Sequence, residues 1–434
     1  MPSASLADEF KETEIGPIPV DWDVMPLRKA AKRSKATTNP QSCPEEAFDY
    51  YSIPAYQVSD EPVLERGSEI RSQKLIVQPG MVLFGKLNPR VPKVWCVASV
   101  SPRRKIASTE FIPLIPIDGR TSGRFLYYLA WSEHVLPKSQ ELVSGSTPSR
   151  QRVDVKAFLN IPIPLPPLPE QRRIAHVLST IQRAIEAQDK VIASAKELKR
   201  SLMQRLFTYG PGRERASTKE TEIGEIPEHW SLVRLEQVVE VKTSTASLTS
   251  ARKRHSARAD DAVKVLYLKV SDFSAPMNWR LLTQSKESLL IGPADLREMN
   301  TVPPNSVVFP KRGGAIRTNK KRITAYHSLL DPNLIAVVPQ AQVDFKYLFN
   351  WFERFDLASV TNDTPIPQLN KKDIEPLPFP LPPTPEQRQI ADILFASDCK
   401  IEGEENRRAA LQELFRSILH QLMTGRLRVK AIEV

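Results

Sequence analysis

Two stretches of the chain place apolar residues at alternating spacings of three and four. In the first, Ile174, Leu178, Ile181, Ile185, Ile192 and Leu202 mark the stripe, with Gln188, Ala195, Lys199 and Leu206 filling the same period. In the second, Ile390, Leu394, Ile401, Leu411, Phe415, Ile418 and Leu422 do so, with Ser397, Glu404 and Arg408 between them. A heptad seam sustained this long predicts a helix that pairs with another helix. Each stretch follows a proline run that stops at Glu-Gln-Arg, at Glu170 and again at Glu386. Proline and an acid suit the free N–H groups and positive dipole end of a helix start. Gly210-Pro211-Gly212 and Gly425 supply the stops. Each helix would be about 55 Å long. Their matched lengths and seams predict an antiparallel pair, with Gln188, Glu404 and Arg408 near mid-rod fixing the register.

The pattern before each helix is different. Short apolar runs bounded by Gly, Pro and Asn predict strands. They are Val82–Phe84, Val94–Val97, Phe111–Ile115, Val265–Leu268, Val307–Phe309 and Leu334–Val338. Each series ends in one aromatic helix, Phe125–Glu133 and Phe345–Glu353, with Tyr127 matching Tyr347 and Trp131 matching Trp351. Aromatics four apart share a helix face and read as core packing. Each globular part is therefore α+β.

The two halves repeat one design. Glu12-Thr13-Glu14-Ile15-Gly16-Pro17-Ile18-Pro19 with Trp22 returns as Glu220-Thr221-Glu222-Ile223-Gly224-Glu225-Ile226-Pro227 with Trp230. Leu165-Pro166-Pro167-Leu168-Pro169-Glu170-Gln171-Arg172 returns as Leu381-Pro382-Pro383-Thr384-Pro385-Glu386-Gln387-Arg388. The two offsets nearly agree, so a whole half is duplicated, with a small insertion in the second copy. The period is far longer than a solenoid unit of roughly 20–50 residues. The division is a globular segment at 1–165, a helical one at 166–212, a second globular segment at 213–380 and a second helical one at 381–434.

Charge narrows the partner. The net charge of +11 attracts phosphate polyanions. Equivalent loops concentrate it: Lys86, Asn88, Arg90 and Lys93 follow one strand, and Lys311, Arg312, Arg317, Lys320, Lys321 and Arg322 follow its counterpart. Lysine suits phosphate, whereas Arg and Asn can pair two-pronged with base edges. Arg150 and Arg152 lie before the last strand of the first half; Arg103-Arg104-Lys105 and Arg252-Lys253-Arg254-His255 are further clusters. Ser146-Thr147-Pro148 and Thr364-Pro365 read as turns near the same face.

Catalytic signatures are missing. The sequence has neither a Gly-x-x-x-x-Gly-Lys-Ser/Thr loop nor a Gly-x-Gly-x-x-Gly fingerprint. Asp331-Pro332-Asn333 lacks the second proline and the aromatic residue of an amino-methyltransferase site. Three scattered cysteines, Cys43, Cys96 and Cys399, fit neither a metal site nor a disulfide framework and point to a reducing compartment. With no apolar leader and no membrane-length apolar run, the expectation is a cytoplasmic protein.

The doubled Leu-Pro-Pro-x-Pro-Glu-Gln-Arg-x-Ile-Ala and Ile-Gly-x-Ile-Pro-x-x-Trp motifs resemble the specificity subunit of type I restriction-modification enzymes, over nearly the whole chain. The resemblance implies two tandem α/β target recognition domains separated by two long antiparallel coiled-coil helices, an internal pseudo-twofold repeat. It implies a non-catalytic subunit that binds a split, asymmetric site in double-stranded DNA. It also implies docking of two methyltransferase subunits and, through them, of restriction subunits. S-adenosylmethionine, ATP and Mg would then belong to those partners. The alternatives are the recognition subunit of a related type IIB-like enzyme, which cuts on both sides of its site, and a non-catalytic coiled-coil scaffold.

Overall fold

The structure, a computed structural model, describes residues 10–58, 61–98, 101–145, 147–212, 217–243, 248–249, 262–361 and 367–429. Its two compact units are Met1–Lys190 with Glu405–Val434, and Val191–Glu404. The predicted long helices run over Leu168–Tyr209 and Thr384–Met423. Each is divided between the units, a different partition from four segments in series. The reason is antiparallel pairing. The first unit's core joins Ile174 and Leu178 of the first long helix to Leu419 and Leu422 of the second. The second unit's core joins Met203, Leu206 and Phe207 to Ile390 and Leu394. Asp189 pairs with Arg408 at 2.5 Å in the first unit, and Lys199 with Asp398 at 2.5 Å in the second.

The seam is buried at Ile174, Leu178, Ile192, Ile390, Leu394, Ile401 and Leu422. It is partly buried at Ile181, Ile185, Leu202, Leu411, Phe415 and Ile418. Gln188 is buried mid-helix as expected, but the buried polar residue after Leu394 is Asp398, not Ser397.

In the first unit, four strands form an antiparallel sheet in the order Val94–Cys96, Val82–Gly85, Phe111–Pro116, Ala31–Arg33. A five-stranded sheet follows the order Thr37–Thr38, Lys74–Val77, Lys105–Ala107, Ala47–Tyr51, Val63–Arg66. The second unit repeats the first sheet as Arg322–Thr324, Val307–Pro310, Leu334–Pro339, Val239–Lys242, and adds Leu281–Leu282 beside Arg322–Thr324. Its other sheet has three strands, Glu287–Ile291, Val263–Leu268 and His327–Leu330. The proline runs form two-stranded clips: Asp23–Pro26 pairs with Pro162–Leu165, and Ser231–Arg234 with Pro378–Leu381. Two-stranded ribbons are all edge, so the missing proline N–H is tolerated.

The doubled motifs lock each globular part to a long helix. Trp22 Nε1 donates to Glu170 Oε2 at 3.0 Å, and Trp230 Nε1 to Glu386 Oε2 at 2.9 Å. Gln171 Nε2 donates to the carbonyls of Arg120 and Pro166, while its Oε1 accepts from Ser122 N. Gln387 does the same with Gln342, Pro382 and Asp344 N. Both glutamines are fully buried, so these bonds are what makes their burial affordable.

These bonds also correct the pairing of the aromatic helices, Gly123–Trp131 and Phe345–Arg354. Ser122 and Asp344 are equivalent caps, because Gln171 and Gln387 hold them. Tyr127 therefore matches Phe349, and Trp131 matches Glu353, two positions away from the match that composition suggested.

One layer breaks the symmetry. The strand Leu281–Leu282, without counterpart among the described residues of the first sheet, brings Arg280 to the helix. Arg280 Nη1 donates to Asp398 Oδ2 at 2.8 Å, and its guanidinium lies 5.1 Å and 4.8 Å from the rings of Phe349 and Phe395. In the first unit the Tyr128 hydroxyl instead lies 3.0 Å from both Ser179 Oγ and Gln182 Oε1.

Candidate nucleic-acid interface

Each predicted basic loop leaves its strand at the same place and is tied to a second segment. In the first unit, Lys86 N donates to Glu110 O at 2.9 Å, Leu87 bridges Arg152, and Asn88 N donates to Gln151 O at 2.8 Å. Asn88 takes φ 49°, a left-handed conformation that Asn tolerates. Gln140 Nε2 holds Pro89 O at 3.1 Å. These bonds set Lys86, Asn88, Arg90, Arg150 and Arg152 on one ledge, with the three arginines exposed.

The second ledge is built alike. Lys311 N donates to Asn333 O at 2.8 Å, Leu369 N to Lys311 O at 2.8 Å, and Arg312 bridges Gln368. The turn Gly313–Thr318 begins at φ +68° and ends at Asn319 with φ 53°. Gly313 N donates to Pro367 O at 2.8 Å. Arg312 and Arg317 are exposed.

Three of the predicted contacts are turned inward instead. Lys93 is 4% exposed and its ammonium donates to Val91 O at 2.6 Å and Leu87 O at 3.3 Å, closing its own loop from within. Lys321 is 1% exposed and donates to Phe355 O at 2.6 Å and Asn319 Oδ1 at 2.8 Å; burial pulls it down to about 8. Arg322 spends its fork on the carbonyls of Asn278, Lys321 and Phe273. These cations stiffen the ledges rather than face a ligand. Burial also lowers the Lys93 and Lys311 ammonium groups, and Lys311 donates to Thr243 O at 3.2 Å. Lys320 donates to Ser274 Oγ at 2.9 Å.

The other clusters divide. Arg103 and Lys105 pair with Asp49, and Arg104 with Glu46, which makes that cluster an internal ionic set. Arg252-Lys253-Arg254-His255, Ser146 and Thr364-Pro365 lie outside the described residues. Asp331 accepts from both the backbone and side-chain nitrogens of Asn333, so Asp331-Pro332-Asn333 is a turn. Among the described residues, no group of three or more His, Cys, Asp or Glu side chains is placed to hold a metal, and no helix is long and apolar enough to cross a membrane. Sequence reading missed Glu110, which takes Arg152 in a two-pronged pair; nothing local in the sequence marks it.

A duplicated α+β chain with a cationic ledge on the same sheet position of each unit, and with long helices that pair within each unit, defines a two-module protein. The chain belongs to the type I restriction modification DNA specificity domain family, whose model matches residues 19–196 and 227–413. It is a non-catalytic specificity subunit of a type I restriction-modification system. It is 25% identical over 433 residues to the type I restriction enzyme MjaVIII specificity subunit of Methanocaldococcus jannaschii, covering 98% of this chain and 97% of that protein. To the EcoDI specificity subunit of Escherichia coli it is 24% identical over 336 residues, 70% of each chain. Two solved structures share the fold. One is a chain from a study of assembly and conformational transition of the type I R-M system, with TM-score 0.57, 19% identity, and coverage of 94% of this chain and 99% of that one. The other is the type I S subunit from M. genitalium, with TM-score 0.53, 13% identity, and coverage of 93% and 96%.

Proposed function

We propose that the chain reads a bipartite, asymmetric site in double-stranded DNA, one half-site per unit. The observation that carries this is the ledge itself: identical backbone ties present a different set of cationic and amide side chains in each unit. Phosphate-facing cations supply affinity, and side chains at base edges supply sequence. The long helices dock two methyltransferase subunits and, through them, restriction subunits. S-adenosylmethionine, ATP and Mg act in those partners. The setting is the cytoplasm, where the thiols stay reduced.

The test uses the full chain assembled with its methyltransferase subunits. Replacing Lys86, Asn88 and Arg90 by alanine is expected to weaken or relax reading of one half-site. Replacing Lys311, Arg312 and Arg317 is expected to affect the other. Methylated sites mapped on a library of randomised half-sites give the readout. If either set leaves both half-sites and the affinity untouched, these ledges do not face DNA. If one set alters both half-sites equally, the assignment of one half-site to each unit is wrong.

A further inference from the structure

The ledges share their backbone bonds but not their side chains. Lys86 N to Glu110 O in the first unit matches Lys311 N to Asn333 O in the second. The Leu87–Arg152 bridge matches the Arg312–Gln368 bridge. Glu110 and Asn333 thus hold one position of a common scaffold, and Arg152 and Gln368 hold another. The backbone supports both ledges whatever the side chain, so these positions are free to differ with the ligand.

The first unit fills them with an ion pair of a particular form. Arg152 Nε lies 3.1 Å from Glu110 Oε2, and Nη2 lies 3.0 Å from Oε1. The carboxylate thus takes the side of the guanidinium. Nη1 makes only a 3.4 Å contact to Arg150 O. The Arg152 side chain is still 48% exposed. An arginine held side-on keeps its outer edge, with donors on Nη1 and Nη2, fixed in direction. Two parallel N–H donors fit the O6 and N7 acceptors of guanine. Orientation is set before binding, so less side-chain freedom is lost on contact.

Charge separates this residue from its neighbours. The pair is neutral overall and contributes little to counterion release, and its carboxylate is repelled by a phosphate. It is suited to the groove floor, while exposed Arg90 and Arg150 are suited to the backbone. We propose that Arg152, clamped by Glu110, reads a guanine in the half-site bound by the first unit. This rests on the ledges facing DNA.

The experiment maps methylated sites made by the assembled methyltransferase carrying Arg152→Ala, Arg152→Lys or Glu110→Gln. The expected wild-type half-site contains a G·C pair that Arg152→Ala relaxes to all four bases, losing roughly 10- to 100-fold discrimination. The other half-site is unchanged. Arg152→Lys keeps the charge without the fork and relaxes the same position. Glu110→Gln blurs that position and no other. Melting of each variant chain near the wild-type value shows that the fold is intact; the near-isosteric Glu110→Gln keeps the test open if Arg152→Ala misfolds. An unchanged motif, a half-site lacking G·C, or a uniform loss of affinity with a salt slope lower by about one unit overturns the proposal. If the Lys86, Asn88 and Arg90 set shifts the half-site and Arg152→Ala does not, only the guanine assignment falls. If neither does anything, the DNA-facing reading falls with it.

Discussion

At the scale of single residues, burial decides what a lysine on a basic loop does. Lys321 sits in a run of four cationic or amide residues, yet its ammonium points into the second unit and is pulled down to about 8 from an ordinary 10.5, chiefly by desolvation. The sign of the consequence is fixed. Between about pH 8 and 10.5 the unfolded chain holds this proton and the folded chain has lost it, so stability rises with pH across that window. Below pH 8 both states are protonated and the full cost, about 3 kcal/mol, is present. Urea unfolding of wild type and Lys321→Met at pH 7.5, 9 and 10.5 checks this. The wild type should gain on the variant at each step; a constant gap would place the Lys321 ammonium in water. Sequence alone could not sort Lys93, Lys321 and Arg322 from Arg90, Arg312 and Arg317, because the carbonyls that hold them come from the loop's own fold and from remote segments.

At the scale of elements, the long helices were legible and their attachments were not. Heptad spacing marked the seam, proline and glycine marked both ends, and short apolar runs bounded by Gly, Pro and Asn marked six of the strands. The doubled Trp and Glu-Gln motifs were visible as repeats, but their purpose rests on a bond between residues 148 apart in sequence. The Arg280–Asp398 pair spans 118 residues and has no counterpart among the described residues of the first unit, so neither period nor repeat could announce it. Asp398 serves Arg280 and Lys199 together, and both it and Arg280 are buried. Asp398→Ala strands buried Arg280, while Lys199 keeps Glu353 at 3.8 Å, and should cost about 3–5 kcal/mol. The double variant Arg280→Met, Asp398→Leu removes the buried guanidinium along with its partner. It should be less damaged than Asp398→Ala, the signature of a coupled pair. Denaturant unfolding of Arg280→Met, Asp398→Leu and their double variant decides; if the double variant loses the sum of those two singles, the pair is not coupled.

At the scale of the whole molecule, the same junction recurs at the end of each long helix. The first long helix ends at Gly210, φ +76°, where an added Cβ would lie 3.7 Å from Pro227 and 3.8 Å from Trp230 at the start of the next globular part. The second ends at Gly425, φ +71°, where an added Cβ would collide with Pro19 and lie 3.4 Å from Trp22. Beyond it, Arg428 donates to Glu170 at 2.7 Å and 2.8 Å and to Asp21 at 2.7 Å. Each helix end therefore packs on a Pro and Trp that begin a globular part, although only one of the two junctions is a short stretch of chain. Packing rather than covalent order supplies the arrangement at both. A permuted chain that joins residue 434 to residue 1 and opens between Gly212 and Ser217 should fold, melt within a few degrees of wild type and direct methylation to the same motif. Opening after Lys190 cuts a continuous helix at the boundary of the two units and should fail, because interrupting the i to i−4 ladder exposes eight backbone groups and splits the seam. Calorimetry and methylated-site mapping of the two permuted chains test the contrast. If both fail alike, covalent continuity between Gly212 and Ser217 is needed for folding; if both succeed alike, the helix is not the continuous support described above.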